Sequence, residues 1–184
     1  KVDSTNNYAK EMLAKSSPID GTVILADEQF AGRGQTGNIW QSEAHKNLTF
    51  SIIYQTSFLK ATEQFWLNMA ISLGRQSFLK QLQPAASIKW RNGFHINSKK
   101  IAGILIENTI IGMHLKYSVI GIGLNVNQEN FAKDINATSL SLVLENEMNK
   151  NETLNHLLSS VEKYFLFLKE RKFDRLKTEY LENL

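Results

Sequence analysis

The chain contains no cysteine, which excludes a disulfide framework and a thiol nucleophile and is compatible with a cytoplasmic protein. No apolar run approaches the roughly 20 residues that a membrane-spanning helix needs, and no charged segment followed by an apolar stretch marks a secretory signal. Charge of one sign is scarce as well. With 21 Lys and Arg against 18 Asp and Glu the formal net charge is +3, too mild and too scattered for a nucleic-acid footprint but suited to an anionic small molecule or an acidic partner. The histidines His45, His95, His114 and His156 have no His-x-x-x-His spacing and no cysteine to complete a zinc set. Neither an internal repeat nor a low-complexity tract is present. The first residue is Lys1 rather than Met, as in a fragment of a longer protein.

What the chain does have is a core. Its 184 residues are 42% hydrophobic and 10% aromatic, enough for one domain. From Ser4, a capping serine or threonine followed by Tyr8, Met12 and Leu13 at helical spacing predicts a helix to about Lys15. Ser17, Pro18, Asp20 and Gly21 break it, and Thr22 to Ala26 reads as a buried strand. Leu48, Phe50, Ile52 and Tyr54 alternate as a strand does, and Ala61 to Leu82 is the longest helical candidate, ended by Pro84. Strands are predicted at Ser87–Trp90, Phe94–Ile96, Lys100–Asn108 and Leu115–Ile122, with turns at Ser98-Lys99 and Ile110–Met113. Helices near Ser139–Glu147, Glu152–Lys169 and Phe173–Leu181 complete an α+β fold: a mixed, largely antiparallel sheet with helices packed on one face.

Three stretches carry chemistry. Gly32–Trp40, GRGQTGNIW, cannot be a helix or an ordinary strand; its glycines allow backbone amides to converge on an anion, and Arg33 supplies countercharge. A flexible surface connection rich in glycine is the alternative. In Lys89–Glu107, KWRNGFHINSKKIAGILIE, a hairpin brings Lys100 to a strand entrance from which its ammonium can reach across the sheet toward the glycine loop. There it can neutralise charge developing on a phosphate; the alternative is a solvated lysine beside Lys99. Gly121–Asn127, GIGLNVN, permits close backbone approach at a strand end.

In this order the motifs resemble the catalytic domain of biotin protein ligases, within the wider biotin and lipoate ligase superfamily. The matching pieces are DSTN at Asp3–Asn6, EQFAGRGQTGNIW at Glu28–Trp40, KWRN at Lys89–Asn92, KKIAGILIE at Lys99–Glu107 and GIGLNVN at Gly121–Asn127. The resemblance implies that biotin and MgATP give biotinyl-5′-adenylate, which then acylates a lysine of a biotin carboxyl carrier domain. It implies that Ser4, Thr5, Asn6 and Gln29 lie by the biotin bicycle and that Arg33 and Lys100 hold the carboxylate and phosphate oxygens. Gly32, Gly34 and Gly37 would let the loop fold over the adenylate, with Trp40 beneath it. Asn125 would reach the adenine and Asn92 would lie near metal and phosphates, while Gln35, Lys89, Trp90, Gly103 and Gly123 complete the implied binding set. Metal is expected only as the Mg2+ that accompanies ATP, and neither a nucleic-acid nor a membrane partner is expected.

Two departures stand out. Relatives commonly read KWPND, so Arg91 replaces a proline and Gly93 a carboxylate expected near the metal or the incoming lysine; transfer should suffer. The loop has Gln35, Thr36 and Asn38 where relatives carry more cations, so the adenylate should be held less tightly. No winged helix precedes Lys1, so nothing supports a repressor role, and the small β-rich C-terminal domain of many relatives is absent or truncated at Leu184. Exposed strand edges leave a dimer by sheet extension open. A lipoate or octanoate enzyme of the same fold, and a non-enzymatic binder favoured by Gly93, remain as alternatives.

Overall fold

The computed structural model describes residues 1–83, 87–89, 93–132 and 135–183, with the main chain alone at 36, 87–89 and 93. Pro84, Trp90, Arg91, Asn92 and the Lys89 side chain therefore lie outside the described residues.

Strand β2 (Leu48–Gln55) is buried at every position but its last because both of its faces are covered. Phe50, Ile52 and Tyr54 enter the main core, while Ile53 enters a smaller cluster on the opposite face. β2 pairs with β1 (Thr22–Ala26) on one side and β6 (His114–Leu124) on the other. β5 (Lys99–Ile111), β4 (Gly93–Ile96) and β3 (Ser87–Lys89) follow, giving the order β1-β2-β6-β5-β4-β3 with every ladder antiparallel. Among the described residues, parallel pairing is confined to isolated bridges, Val2 with Gln29 and Lys100 with Ala137.

Two-residue turns dictate this arrangement. Asn97 and Ser98 turn β4 into β5 with φ of 49° and 65°, both positive as a type I′ turn requires; the turn falls one residue before the predicted Ser98-Lys99 step. Gly112, at φ 60°, begins the turn from β5 to β6.

The helices are α1 (Thr5–Lys15), α2 (Gln64–Leu82), α3 (Leu140–Leu144), α4 (Lys150–Lys169) and α5 (Phe173–Leu181). α2, α4 and α5 bury Leu67, Phe78, Leu157, Phe165 and Leu176 against one face of the sheet, as expected. α1 does not join them. It packs Ala9, with Met12 and Leu13, onto Ile24, Ile53 and Val119 on the opposite face, because those residues alternate out of the main core and would otherwise lie bare to water. The site forms on this second face. No described helix is long and apolar enough to cross a membrane.

α2 and α4 approach so closely at Gly74 that a Cβ there would lie 2.6 Å from Val161 Cα and 2.9 Å from Ser160 O. Alanine gains about 1 kcal/mol over glycine in helix propensity, but a methyl driven into a neighbouring backbone costs about 1–3 kcal/mol. Gly74→Ala is therefore expected to lower stability by about 1–2 kcal/mol, read from urea unfolding; a stabilised variant would disprove the close approach.

Candidate functional site

The floor of the site is a patch of sheet without side chains. Gly103 on β5 and Gly123 on β6 are register partners, and Gly121 precedes on the same face. A Cβ at Gly123 would sit 2.2 Å from Trp40 Cε2, and one at Gly103 3.2 Å from Trp40 Cζ3. The Trp40 indole thus lies flush on two bare strands. At Gly121 a Cβ would meet Asn6 Oδ1 at 2.4 Å, so α1 reaches the sheet by the same device.

Residues 32–40 form a tight hairpin above this floor. Trp40 N donates to Gly32 O (3.0 Å) and Gly34 N to Asn38 O (2.7 Å), around a short 3₁₀ turn at Gln35–Gly37. Gly37 has φ 79°, and a Cβ on Gly32 would come within 2.3 Å of Trp40 O. Of the three glycine amides expected to face an anion, that of Gly34 is spent inside the hairpin, as is the Trp40 amide. What the loop offers the cavity is side chains, among them Arg33 and Gln35.

That cavity has a volume of about 310 Å³ and is lined by Ser4, Thr5, Asn6, Gln29, Arg33, Gly34, Gln35, Trp40, Lys100, Gly103 and Gly123 from the predicted set. Its volume is at the lower end of the range for small-molecule sites. Gly32 and Gly37 do not line it.

One end is polar and uncharged. Ser51 Oγ, fully buried in the middle of β2, lies 2.7 Å from Thr5 Oγ1 and 2.6 Å from Asn6 Oδ1. Gln29 Oε1 accepts from Thr5 N (2.7 Å) and Thr5 Oγ1 (3.1 Å). Ser4 occupies the N-cap position of α1 but its side chain makes no capping bond; Gln29 instead satisfies an orphan amide of the first turn and ties the helix to the loop.

Behind this end stands Glu107. It accepts from Asn6 Nδ2 (2.8 Å) and Arg33 Nη2 (3.1 Å) and pairs with Lys10, while Arg33 Nη1 donates to Asn7 Oδ1 (2.8 Å). Burial alone would raise the Glu107 carboxyl, but the bonds from Lys10 and Asn6 and the charges of Lys10 and Arg33 outweigh it and hold the group below the ordinary glutamate range.

The other end is cationic. A β-bulge in β5 sets Phe94 opposite Ala102 and His95 opposite Lys100, so Ile101 and Ala102 both enter the core while Lys100 and Gly103 both face the cavity. The Lys100 ammonium lies 5.5 Å from the Trp40 ring centroid and has no carboxylate partner among the described residues. Burial first, then the guanidinium of Arg75, pull it below the ordinary lysine range. Arg75 itself is fully buried on α2, its guanidinium 3.4 Å from the Phe94 ring centroid. A half-buried cation without a partner favours an incoming anion.

Beyond Trp40 lies a slot of about 90 Å³ lined by Ile39, Trp40, Lys100, Asn125 and Phe131. The Asn125 amide donates to Thr138 O (3.0 Å), whereas its Oδ1 is buried without a partner among the described residues. Asn125 thus stands next to the main cavity rather than in it, with Lys100 and Trp40 shared between the two.

The predicted set omits Ser51, Glu107, Gly121, Asn38 and His95. Ser51, fully buried between Phe50 and Ile52 in β2, carried a signal: a small polar residue inside an apolar strand. Glu107 closes a quoted motif, yet nothing local pairs it with Arg33, 74 residues away.

A niche of neutral hydrogen-bonding groups, a cationic corner and a flat slot with one orphan acceptor form a site for a small acid next to a nucleotide-like ring. The sequence profile of the "Biotin/lipoate A/B protein ligase family" matches residues 1–125, and the chain belongs to that family. It is 33% identical over 174 residues to the bifunctional ligase/repressor BirA of Bacillus subtilis, covering 89% of this chain and 51% of that protein. It is 31% identical over 166 residues to the biotin--[acetyl-CoA-carboxylase] ligase of Mycobacterium tuberculosis, covering 88% and 60%. The chain spans about half the length of the Bacillus relative. Among solved structures, the biotin protein ligase of Aquifex aeolicus in complex with biotin and ATP superposes with a TM-score of 0.81 at 28% identity, covering 97% of this chain and 73% of that one. The Leishmania major biotin protein ligase in complex with biotinyl-5-AMP gives 0.72 at 26% identity, covering 95% and 78%.

The depressed Glu107 carboxyl contributes stability that is fully present above the ordinary glutamate value of 4.5 and lost as pH falls through its lower folded value. Glu107→Gln is expected to cost about 1 kcal/mol at neutral pH, the pair being partly exposed. Urea midpoints between pH 3 and 7 should show a shallower acid limb in the variant. An unchanged limb would show that Glu107 does not carry the linkage.

Proposed function

We propose that this chain condenses biotin with ATP to give biotinyl-5′-adenylate and pyrophosphate, and then passes the acyl group to a lysine of a biotin carboxyl carrier domain, releasing AMP. The observation that carries the reading is Lys100, a partly desolvated cation without a carboxylate partner among the described residues, at the junction of the polar cavity and the Asn125 slot. The neutral end suits a ureido ring: Ser51, Thr5, Asn6 and Gln29 offer both donors and acceptors and no net charge. Phe50, Ile104, Leu105 and Ile122 line the same cavity and would take the fused ring and the valeryl chain. Lys100 then meets the carboxylate and α-phosphate, two anions that repel each other until a cation screens them. Asn125 Oδ1 is an acceptor for an exocyclic amine on the adenine.

Arg33 enters the reaction from its pair with Glu107. With Arg33 43% exposed, that pair is worth about 1 kcal/mol or less, so exchange onto a phosphate is inexpensive. Gln35 donates to Ile104 O (3.3 Å) within the cavity, and Gly103 and Gly123 act on the ligand through the Trp40 ring that they admit. Asn92 keeps the place near metal and phosphates that the resemblance implies, and Lys89 and Trp90 keep their places in the implied binding set.

Mg2+ would enter with ATP. Among the described residues no group of three or more His, Cys, Asp or Glu stands together, so they do not form a protein cage for the ion, and no step is derived through it. The reading places the enzyme in the cytoplasm, where ATP is supplied, and its partner is the carrier domain.

A lipoate or octanoate enzyme would want a longer, greasier channel than this cavity with its polar end. Three measurements test the reading. The protein with labelled ATP and biotin should form adenylate, and octanoate or lipoate used in place of biotin would overturn the assignment. Lys100→Met should lower adenylate formation by roughly 10²–10³-fold; retained activity would remove Lys100 from the junction. Because Gln35 and Asn38 leave the loop with one cation, Arg33, the adenylate should escape and label lysines of a bystander protein; trapping that finds neither escaped adenylate nor bystander labelling would refute this.

A further inference from the structure

Strand β4 presents a histidine to the cavity. Phe94 and Ile96 are buried in the main core, so by strand alternation the residue between them points to the opposite face, and His95 is among the residues lining the cavity. Its register partner is Lys100. Cross-strand partners on one face carry Cβ atoms about 5 Å apart, so His95 and Lys100 enter the same cavity from neighbouring positions. Two residues earlier, Gly93 carries no side chain at all.

The two half-reactions differ in what they ask of such a group. In adenylation a carboxylate oxygen attacks the α-phosphate and pyrophosphate leaves; no proton is transferred. In transfer the acceptor begins as a lysine ammonium. Its nitrogen forms the new C–N bond, the C–O bond of the mixed anhydride breaks, and AMP departs with that electron pair. One hydrogen remains on the amide and two leave as protons, one before attack and one from the tetrahedral adduct. A base must take them.

Few candidates exist. The titratable side chains among the described residues that line the cavity are Arg33, Lys100 and His95. Arg33 and Lys100 are there as cations. Glu107 stands behind the cavity, committed to Arg33, Lys10 and Asn6, and Arg75 lies behind β4 against Phe94. Ser51, Thr5, Gln29 and Asn6 are too weakly basic. We propose that His95 is the catalytic base of the transfer step, accepting a proton from the attacking lysine amine and releasing it to water. The proposal rests on the ligase reading.

The experiment compares His95→Gln and His95→Ala with the unaltered chain in three reactions: adenylate formation from biotin and ATP, acyl transfer to the lysine of a carrier domain, and acyl transfer to hydroxylamine, an amine already unprotonated at neutral pH. Transfer to lysine should fall by roughly 10²-fold or more, while adenylate formation and transfer to hydroxylamine stay within about threefold. The ratio of the two transfer rates is taken on one preparation, so it does not depend on how much of a variant is folded. If both acceptors slow equally, or neither slows, His95 is not the base. If the unaltered chain forms no adenylate, the ligase reading fails first. If it forms adenylate and acylates lysine but the ratio is unchanged in the variants, this inference alone fails.

Discussion

The site depends on one packing constraint: the indole of Trp40 occupies the space where side chains on Gly103 and Gly123 would stand. A glycine inside a strand costs roughly 0.5–1 kcal/mol in backbone entropy, and here two adjacent strands accept that cost at register-matched positions. What they gain is a flat aromatic wall seated on two paired inner strands of the sheet. Trp40 closes the 32–40 hairpin through its amide to Gly32 O, and its ring divides the main cavity from the Asn125 slot. Loop position and pocket shape are thus set by a single side chain. The third glycine, Gly121, extends the same logic to α1 by admitting Asn6.

Buried polar groups do the finer positioning. Thr5, Asn6, Ser51 and Gln29 form a connected set in which an amide of the first turn of α1, a strand hydroxyl and a loop carboxamide hold one another. At the far side Asn47 accepts from Val126 N, and the backbone of Leu140 and Ser141 donates to Asn125 O and Val126 O. These bonds hold the segment after β6 so that the Asn125 amide is half satisfied. Such networks gain modestly when complete and cost 1–3 kcal/mol per orphaned group when not. Asn125 Oδ1 has no partner among the described residues, and on the proposed reading the nucleotide supplies it.

Much of this was legible in the sequence. Helix and strand spans followed from hydrophobic period, and α5 falls on the predicted Phe173–Leu181. Arg33 and Lys100, 67 positions apart in the chain, line one cavity as their motifs suggested. What stayed hidden is tertiary. The second face of β2 reads as small or polar, so α1 was expected with the other helices; only the clustering of Ile53 with Ile24 and Val119 shows that this face needs a cover. Glycine suits both a nest and a tight hairpin, and local sequence does not show that the Gly34 amide bonds inside the loop. Glu107 and Ser51 belong to the site through partners far away in the chain, which no local pattern reveals.

The two cations of the cavity are held in opposite ways, and the difference bears on the order of events. Lys100 is pinned by the β5 bulge, partly desolvated and without a counter-ion among the described residues, so an anion arriving there gains without breaking anything. Arg33 sits in a loop, already satisfied by Glu107 and Asn7, and must exchange partners to act. An exposed pair of this kind is worth about 1 kcal/mol or less, whereas a doubly charged junction next to a desolvated ammonium attracts a second cation more strongly than a single carboxylate can hold it. On the proposed reaction, the lysine is thus suited to receive the first anion and the arginine to respond to the second.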